Sequence, residues 1–294
     1  MGLESGRLRL VLSLNGTRMT AGHDVDPQAP EPGVPEAEQP HRHELASKFI
    51  DTTLLAELEV SEHLGVYVML PYRVVDQDFE LLGAEGQKLD RTESIHHQNR
   101  TLTGLGDMAV GGLLALSAKG SFTQLRLGLT LPTGSTRPDP YALGRLGKTH
   151  QHVFLGSGTL GLQAAVDASY DLGPAALLVS GSTRVALGEN EHGYRAPIVA
   201  TAGLGLETPF DLENWRFRST VELSRETKAK WPTWSANNMG RTDLSVGLGT
   251  TWSFATDLQL SLNLKHPFTL STEGGSLSIP LIVQLSLGYV VDVF

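Results

Sequence analysis

The sequence predicts an all-β fold, a transmembrane antiparallel β-barrel of about twelve strands, with residues 1–294 forming a single domain. Three observations lead to this fold class. Apolar and polar residues alternate along many short segments, the connections between segments alternate between short and long, and the apolar face carries almost no charge. Together they indicate short periplasmic turns and long extracellular loops.

The first predicted strand lies between Arg7 and Arg18. Four leucines, from Leu8 to Leu14, occupy every second position, and mostly polar residues lie between them. A period of two residues is typical of a strand and excludes a helix. The following stretch, Met19–Ser47, is rich in proline and acidic residues and is predicted to be a long loop.

Four further strands follow in the first half of the chain. Alternation predicts strands over 50–60 and 64–74, which are joined by a tight turn at Glu62–His63. The next pair is predicted over 108–116 and 125–131, with a short turn at 119–121. Long loops are predicted at 75–100 and 133–157.

The second half of the chain shows the same pattern of alternating strands joined by short and long connections. Apolar alternation predicts strands over 160–170, 177–187, 198–206, 215–223, 244–254, 258–264 and 279–293. Short turns at 171–174, 210–214 and 255–257 alternate with long loops at 188–196 and 224–240. An even number of strands that begins and ends at the short turns predicts periplasmic termini, and a soluble β-sandwich gives no reason for this asymmetry.

The outer face of these strands suits lipid. A charged Arg or Lys at the middle of that face would cost about 2–4 kcal/mol, and such residues are almost absent there. Aromatic residues near the strand ends are predicted to form the interfacial girdles: Tyr72, Phe122, Tyr170, Trp215, Trp252, Phe254 and Tyr289. The predicted location is therefore the bacterial outer membrane, with the lipid bilayer as a partner.

Composition excludes several other classes of protein. Cysteine is absent, so the chain has neither disulfides nor a thiolate metal site. A formal net charge of -9 gives no basic surface for nucleic acid, so no nucleic-acid partner is expected. Met1–Glu4 lacks a basic start before an apolar core, which indicates no signal peptide in the sequence.

Two neighbouring segments carry a family resemblance. Gly104–Gly111 reads GLGDMAVG, and Leu125–Ser135 reads LRLGLTLPTGS. This pair resembles the outer-membrane β-barrel family named after the meta-pathway of phenol degradation, whose members are porin-like. The resemblance implies an outer-membrane channel for passive or weakly selective passage of small solutes, with hydrophobic or aromatic solutes as candidates. It implies no particular functional residues.

Small side chains dominate the predicted inward face. Because about eight strands already leave just enough interior for side chains to fill, twelve should leave free space. The alternative is that a long loop such as Met19–Ser47 folds in and plugs the lumen. The small inward residues are Ala109, Gly111, Ala115, Gly161, Ala165, Gly181, Ser245, Gly247 and Gly249.

Charged residues are also predicted on the inward face. Rings of charge can set the selectivity of a pore, but opposite charges can equally pair and brace the wall. The lumen-facing candidates are Arg73, Asp107, Arg126, Asp167, Arg184, Arg216, Arg218, Glu222 and Asp243.

Histidines concentrate in the predicted extracellular loops. Imidazole with carboxylate is a ligand set for Zn²⁺ or Cu²⁺, although these histidines can also be ordinary polar loop residues. No other cofactor is expected. The candidate ligands are His41, His43, His96, His97, His150 and His152.

Two functions remain open at this point. The first is the channel. The second is a plugged cell-surface barrel whose histidine-rich loops bind metal ions or a protein partner. An enzyme is not expected, because no segment resembles the motifs of outer-membrane proteases or phospholipases.

Overall fold

The computed structural model of the protein describes residues 6–25, 41–83, 85–89, 98–209, 214–232, 240–273 and 276–293. These residues form one antiparallel sheet and one short helix, α1 (Pro140–Arg145). In chain order the strands are β1 (Arg7–Val25), β2 (His41–Glu59), β3 (Leu64–Gly83), β4 (Arg100–Leu105), β5 (Met108–Ala118), β6 (Ser121–Leu131), β7 (Gly161–Asp171), β8 (Ala176–Ala186), β9 (Val199–Pro209), β10 (Trp215–Glu226), β11 (Arg241–Ser253), β12 (Leu258–Thr272), β13 (Ser276–Ser278) and β14 (Ile282–Asp292).

The sheet closes on itself because β1 pairs with both β14 and β2. The short strand β4 and the strand β5 both pair with β3, so they are two parts of one barrel strand interrupted at Gly106–Asp107. The strands β13 and β14 likewise both pair with β1 and form one interrupted barrel strand. The described residues therefore form a closed antiparallel barrel of twelve strands, which confirms the predicted fold class.

The register places apolar residues outward and polar residues inward. Leu127 of β6 lies opposite Ala164 of β7 on the outer face, and its neighbour Arg126 lies opposite Ala165 on the inner face. Large apolar side chains are accordingly exposed on the outside of the isolated chain, with Leu127 65% and Leu248 71% exposed. In a lipid bilayer these side chains contact hydrocarbon.

The first three strands are much longer than the sequence pattern predicts. They contain 19, 19 and 20 residues, whereas about 9–11 residues cross a bilayer. The loops predicted over Met19–Ser47 and Val75–Arg100 are therefore wrong at their edges, because β1, β2 and β3 continue into them. The reason is physical: above the membrane both faces of a strand can be polar, so apolar alternation disappears while the strand continues.

Charged side chains cover the outer face of this extension. Lys48 forms ion pairs with Asp76 and Asp78, and Arg42 forms one with Asp24. Its inner side is different, since Ser47, Val75, Gln77 and Phe79 are all buried. The extracellular mouth of the barrel is consequently packed rather than hollow on the side of β2 and β3.

Short turns lie at the opposite end. Gly120 and Gly173 have positive φ in the turns after β5 and β7, where a residue with a Cβ would be strained. Arg7 and Asp292 pair across β1 and β14 near the same end, so the first and last strands meet there. This is the periplasmic side, as predicted.

The longest connection that is described in full runs between β6 and β7, over residues 132–160. It contains α1, whose N-terminus is capped by the Asp139 carboxylate accepting hydrogen bonds from the backbone N–H groups of Tyr141 and Ala142. Asp139 and Pro140 are buried, so the start of the helix is packed against other parts of the protein. No helix among the described residues is long and apolar enough to cross a membrane.

Candidate functional site in the barrel lumen

The lumen is filled on the side of the first strands. Tyr67 of β3 is 3% exposed and lies against Gly111 and Gly128. A Cβ on Gly111 would lie 2.8 Å from the Tyr67 ring, and one on Gly128 would lie 3.0 Å from the ring and closer still to the hydroxyl oxygen. The Tyr67 hydroxyl accepts a hydrogen bond of 2.8 Å from Gln163 of β7. These two inward glycines therefore create a seat for an aromatic side chain rather than an open passage.

A bar of charged groups crosses the same half of the lumen. The Glu57 side chain is 3% exposed and accepts from Arg9 on one side, at 3.3 Å, and from Arg126 on the other, at 2.9 Å. Arg126 also donates to Asp167 at 2.7 Å. Since Glu57 and Arg126 belong to strands that are not neighbours, this charge bar joins β1 and β2 to β6 and β7 across the interior.

The other half of the lumen contains a cavity of about 300 Å³. Its wall comes from β6 to β12 and β14, and β1 to β5 contribute nothing to it. Most inward positions on this wall are small or polar, Phe122 and Leu178 being large and apolar, and Gly203, Gly205 and Gly247 leave the centre of the wall without side chains. Any solute path through the barrel therefore runs along this side.

A wider vestibule of about 430 Å³ lies at the short-turn end, next to this cavity. Phe122 and Ser169 line both spaces, so they mark the boundary between them. The prediction that Phe122 belongs to an interfacial girdle is wrong, because its side chain packs against the buried inward residues Leu113 and Ala115. It shares the inward register of Gln124 and Arg126.

Asp107, where the barrel strand formed by β4 and β5 is interrupted, anchors the 132–160 connection. The Asp107 carboxylate accepts from the Gly134 N–H at 3.0 Å and from the Ser157 N–H and hydroxyl at 2.6 Å. A Cβ on Gly134 would lie 2.5 Å from the Gly156 Cα, so the two backbone segments touch. The strand interruption at Gly106–Asp107 turns this carboxylate toward the connection.

These contacts explain the two segments that carry the family resemblance. The first contributes Gly106 and Asp107, and the second contributes Thr133 and Gly134. The Thr133 hydroxyl donates to the Gly106 carbonyl at 2.8 Å and accepts from the Met108 N–H at 2.9 Å. The conspicuous motif of the sequence is thus the anchor of the loop inside the barrel.

Aromatic side chains from three loops meet above the lumen. Phe154, Tyr194 and Trp231 pack with ring centroids 4.6–6.4 Å apart, and Tyr141 and Ala196 lie against them. We call these five residues the aromatic cluster. Tyr194 and Trp231 are each 8% exposed, so the aromatic cluster forms a packed apolar layer between these loops.

Polar groups lie directly beneath the aromatic cluster. Burial, together with the nearby Glu226 carboxylate, raises the pKa of the Tyr194 hydroxyl to about 12, while Arg184 opposes that shift. Glu226 lies opposite Arg241 in the register of β10 and β11, and Arg241 binds Asp243 through two hydrogen bonds of 2.6 and 2.7 Å. Charged groups therefore lie next to the aromatic cluster.

Most of the predicted lumen-facing charges are paired along the wall. Arg73 pairs with Asp51, Arg216 and Arg218 pair with Glu207, and Glu222 pairs with Lys265 at 3.0 Å. Arg126 pairs with Glu57 and Asp167, and Asp243 pairs with Arg241. Asp107 binds the 132–160 connection. Arg184 is exposed and forms no ion pair with the described residues.

One predicted inward residue faces the other way. Gly181 lies opposite the outward Val166, and a Cβ on it would contact the Val166 side chain, so its assignment to the lumen is wrong. Side chains alternate between the two faces of β8, and Ser180 and Ser182 on either side of Gly181 face the lumen. Gly181 therefore faces outward.

The candidate metal ligands fall into separate pairs. The Nε2 atoms of His41 and His43 are 3.0 Å apart, and the rings of His150 and His152 are 5.1 Å apart. No group of three or more His, Asp or Glu side chains within the described ranges is arranged to hold a metal ion. His96 and His97 lie outside the described residues.

Three parts of this site were not predicted from the sequence. Tyr67 is hidden between Val66 and Val68 in an apolar run, and Glu207 lies at the end of a strand with no charged neighbour in sequence. The aromatic cluster did leave a signal, since Tyr141, Phe154, Tyr194 and Trp231 are aromatic residues in otherwise mostly polar loops.

Comparisons with known proteins agree with this architecture. The model of the family described as "MetA-pathway of phenol degradation" matches residues 42–278. An outer membrane channel from Pseudomonas putida F1 has a similar structure, with a TM-score of 0.64 and 13% identity over 98% of this chain and 97% of that one. A FadL homologue from Pseudomonas aeruginosa aligns with a TM-score of 0.44, 10% identity, 98% coverage of this chain and 91% of that one.

No curated protein matches the sequence. At this level of identity the P. putida structure supports the fold of this chain. The closed barrel with its apolar outer face lies in the bacterial outer membrane.

Proposed function

This chain belongs to the family described as the MetA-pathway of phenol degradation, and we propose that it is an outer-membrane channel for passive or weakly selective passage of small hydrophobic solutes, including aromatic ones. The observation that carries the proposal is the aromatic cluster at the extracellular mouth, above a lumen that contains a cavity of about 300 Å³.

A packed apolar layer is a barrier to water and ions but not to an apolar ring. The rings of Phe154, Tyr194 and Trp231 contact one another with centroids 4.6–6.4 Å apart. An aromatic solute can make the same ring–ring contacts in place of one of these side chains. Because the three residues come from three separate loops, small loop displacements admit a solute without opening the barrel wall. The family name and the channel fold of the P. putida protein support the same assignment.

The test is uptake across an intact outer membrane. Cells producing the protein should take up a dilute aromatic solute faster than cells that lack it, with a smaller gain for a hydrophilic sugar of similar size. Replacing Phe154 and Trp231 together by Leu should reduce the aromatic gain. Phe217→Leu, on the lipid face, is the matched control and should leave it unchanged. Equal uptake with and without the protein would refute the channel.

The second candidate, a plugged cell-surface barrel that binds metal ions or a protein partner, has its own support. Asp107 anchors the 132–160 connection, and the His41–His43 and His150–His152 pairs each bring two imidazoles together. If this function is the correct one, no solute class crosses the membrane faster with the protein than without it.

A further inference from the structure

The lumen cavity has one apolar region and one polar region. Phe122 of β6 and Leu178 of β8 both lie opposite Ser169 of β7, so they flank it on the inner wall and form the apolar region. The polar region is on β10, β12 and β14, where Glu222 binds Lys265 at 3.0 Å. Apolar and polar side chains thus line the same cavity.

The polar region contains hydrogen-bond donors and acceptors that have no protein partner among the described residues. Lys265 carries three N–H donors and gives one to Glu222. Asn263 and Gln284 lie opposite each other in the register of β12 and β14, and among the described residues neither side-chain amide is hydrogen-bonded. These donors and acceptors are therefore available to a solute or to the water that it displaces.

The size of the cavity limits the solute. A volume of about 300 Å³ is at the lower end of small-molecule sites, which range over about 300–1,000 Å³. Gly247 keeps part of this space free, because a Cβ there would lie 2.4 Å from the Thr220 hydroxyl and 3.2 Å from the Lys265 side chain. This volume suits a single substituted aromatic ring.

We propose that this cavity is a binding site for a small aromatic molecule that carries a hydroxyl or carboxylate group. The ring lies against Phe122 and Leu178, and the oxygen substituent meets Lys265, Asn263 and Gln284. This inference rests on the proposed channel function and specifies its solute class. A bare hydrocarbon would displace water from these polar groups without replacing the lost hydrogen bonds, which a site of this kind rejects.

The experiment measures equilibrium binding of three probes to the full-length barrel in lipid nanodiscs, with empty nanodiscs subtracted. The probes are phenol, 4-hydroxybenzoate and toluene. Phenol and 4-hydroxybenzoate should bind about tenfold more tightly than toluene. The double variant E222Q/K265M should lose most of this preference. The control D24N/R42Q, which removes an ion pair from the outer face above the membrane, should keep it.

Folding of each variant is checked by its heat-dependent migration on gels, and Asn263→Ala replaces the double variant if that one fails to fold. Toluene binding as tightly as phenol, or a preference unchanged in the folded variant, would overturn the solute class while leaving a hydrophobic channel standing. Absence of saturable binding by all three probes, together with no gain in uptake by cells, would refute the channel itself.

Discussion

Asp107 and Ser157 are 50 residues apart in sequence, and the Asp107 carboxylate accepts two hydrogen bonds of 2.6 Å from Ser157, one from the backbone N–H and one from the hydroxyl. Asn190 extends the connection by donating to the Ser157 carbonyl at 3.0 Å, and its own side-chain oxygen accepts from the Tyr194 N–H. The strand interruption, the 132–160 connection and the aromatic cluster are therefore one hydrogen-bonded unit.

Asp107→Asn should loosen this unit. An amide cannot accept on both atoms, so at least one charge-assisted hydrogen bond is lost, at a cost of about 2 kcal/mol. Limited proteolysis should cut the 132–160 connection faster, and ion conductance in planar bilayers should rise. Ser157→Ala keeps the backbone N–H bond and should give a smaller effect. Unchanged cleavage and conductance in Asp107→Asn would mean that the connection is held elsewhere.

Leu262→Arg should destabilise the barrel by about 2–4 kcal/mol if the site is near the bilayer midplane, because the outward Leu262 contacts lipid. The neighbouring substitution Asn263→Arg points into the cavity and should cost much less. Denaturant unfolding in lipid vesicles gives both values. Equal costs at the two positions would contradict the assignment of the faces.

Adjacent glycines on β5 offer a matched pair. A Cβ on the inward Gly111 would lie 2.3 Å from the Leu127 carbonyl oxygen, whereas on the outward Gly112 the nearest atom is 3.8 Å away. Gly111→Ala should therefore destabilise the barrel by about 1–3 kcal/mol, and Gly112→Ala should be close to neutral. If Gly111→Ala and Gly112→Ala had the same unfolding midpoint, Gly111 would not be needed to accommodate Tyr67.

Alkaline pH should disrupt the aromatic cluster. The Tyr194 pKa of about 12 lies above the ordinary value of about 10, so its contribution to stability is complete below about pH 10 and is lost as pH rises toward 12. Absorbance titration should show a late tyrosinate signal that is lost in Tyr194→Phe. Tyr289→Phe, on the lipid face, is the control and should retain it.

A separate prediction concerns metal binding by the loop histidines. If His41, His43, His150 and His152 form sites, Zn²⁺ or Cu²⁺ should bind the folded barrel and raise its stability with occupancy. Binding should weaken as pH falls through about 6.5, because protonated imidazole cannot ligate a metal. Their joint replacement by Ala should abolish binding, whereas His63→Ala, in a periplasmic turn, should not. Calorimetry without saturable binding at neutral pH would remove this function.

The sequence predicted the barrel well where one face of each strand meets lipid. Leucine and valine at every second position specify the outward face, so the number of strands and the side of the short turns were correct. The same logic failed above the membrane, where β2 begins at His41 rather than near Ile50, because an outward Arg42 or Glu44 is as acceptable in water as in a loop.

The lumen was harder to predict because its contacts join distant strands. Nothing near Glu57 in the sequence indicates that Arg126 reaches it, and inward glycines were interpreted as free space although Gly111 and Gly128 hold Tyr67. The meeting of Phe154, Tyr194 and Trp231 depends on how three loops fold together. Periodicity carries no information about that.

The charge bar has a consequence for how the barrel assembles. Glu57, Arg126, Asp167 and the Tyr67 seat involve only the strands from β1 to β7, so a half-built sheet can satisfy its buried polar groups before the last strands arrive. Closing the ring then requires mainly the backbone hydrogen bonds between β1 and β14. The cavity of about 300 Å³ lies mainly along the other half of the wall, so changes to inward side chains on β8 to β12 leave the charge bar and the Tyr67 seat intact.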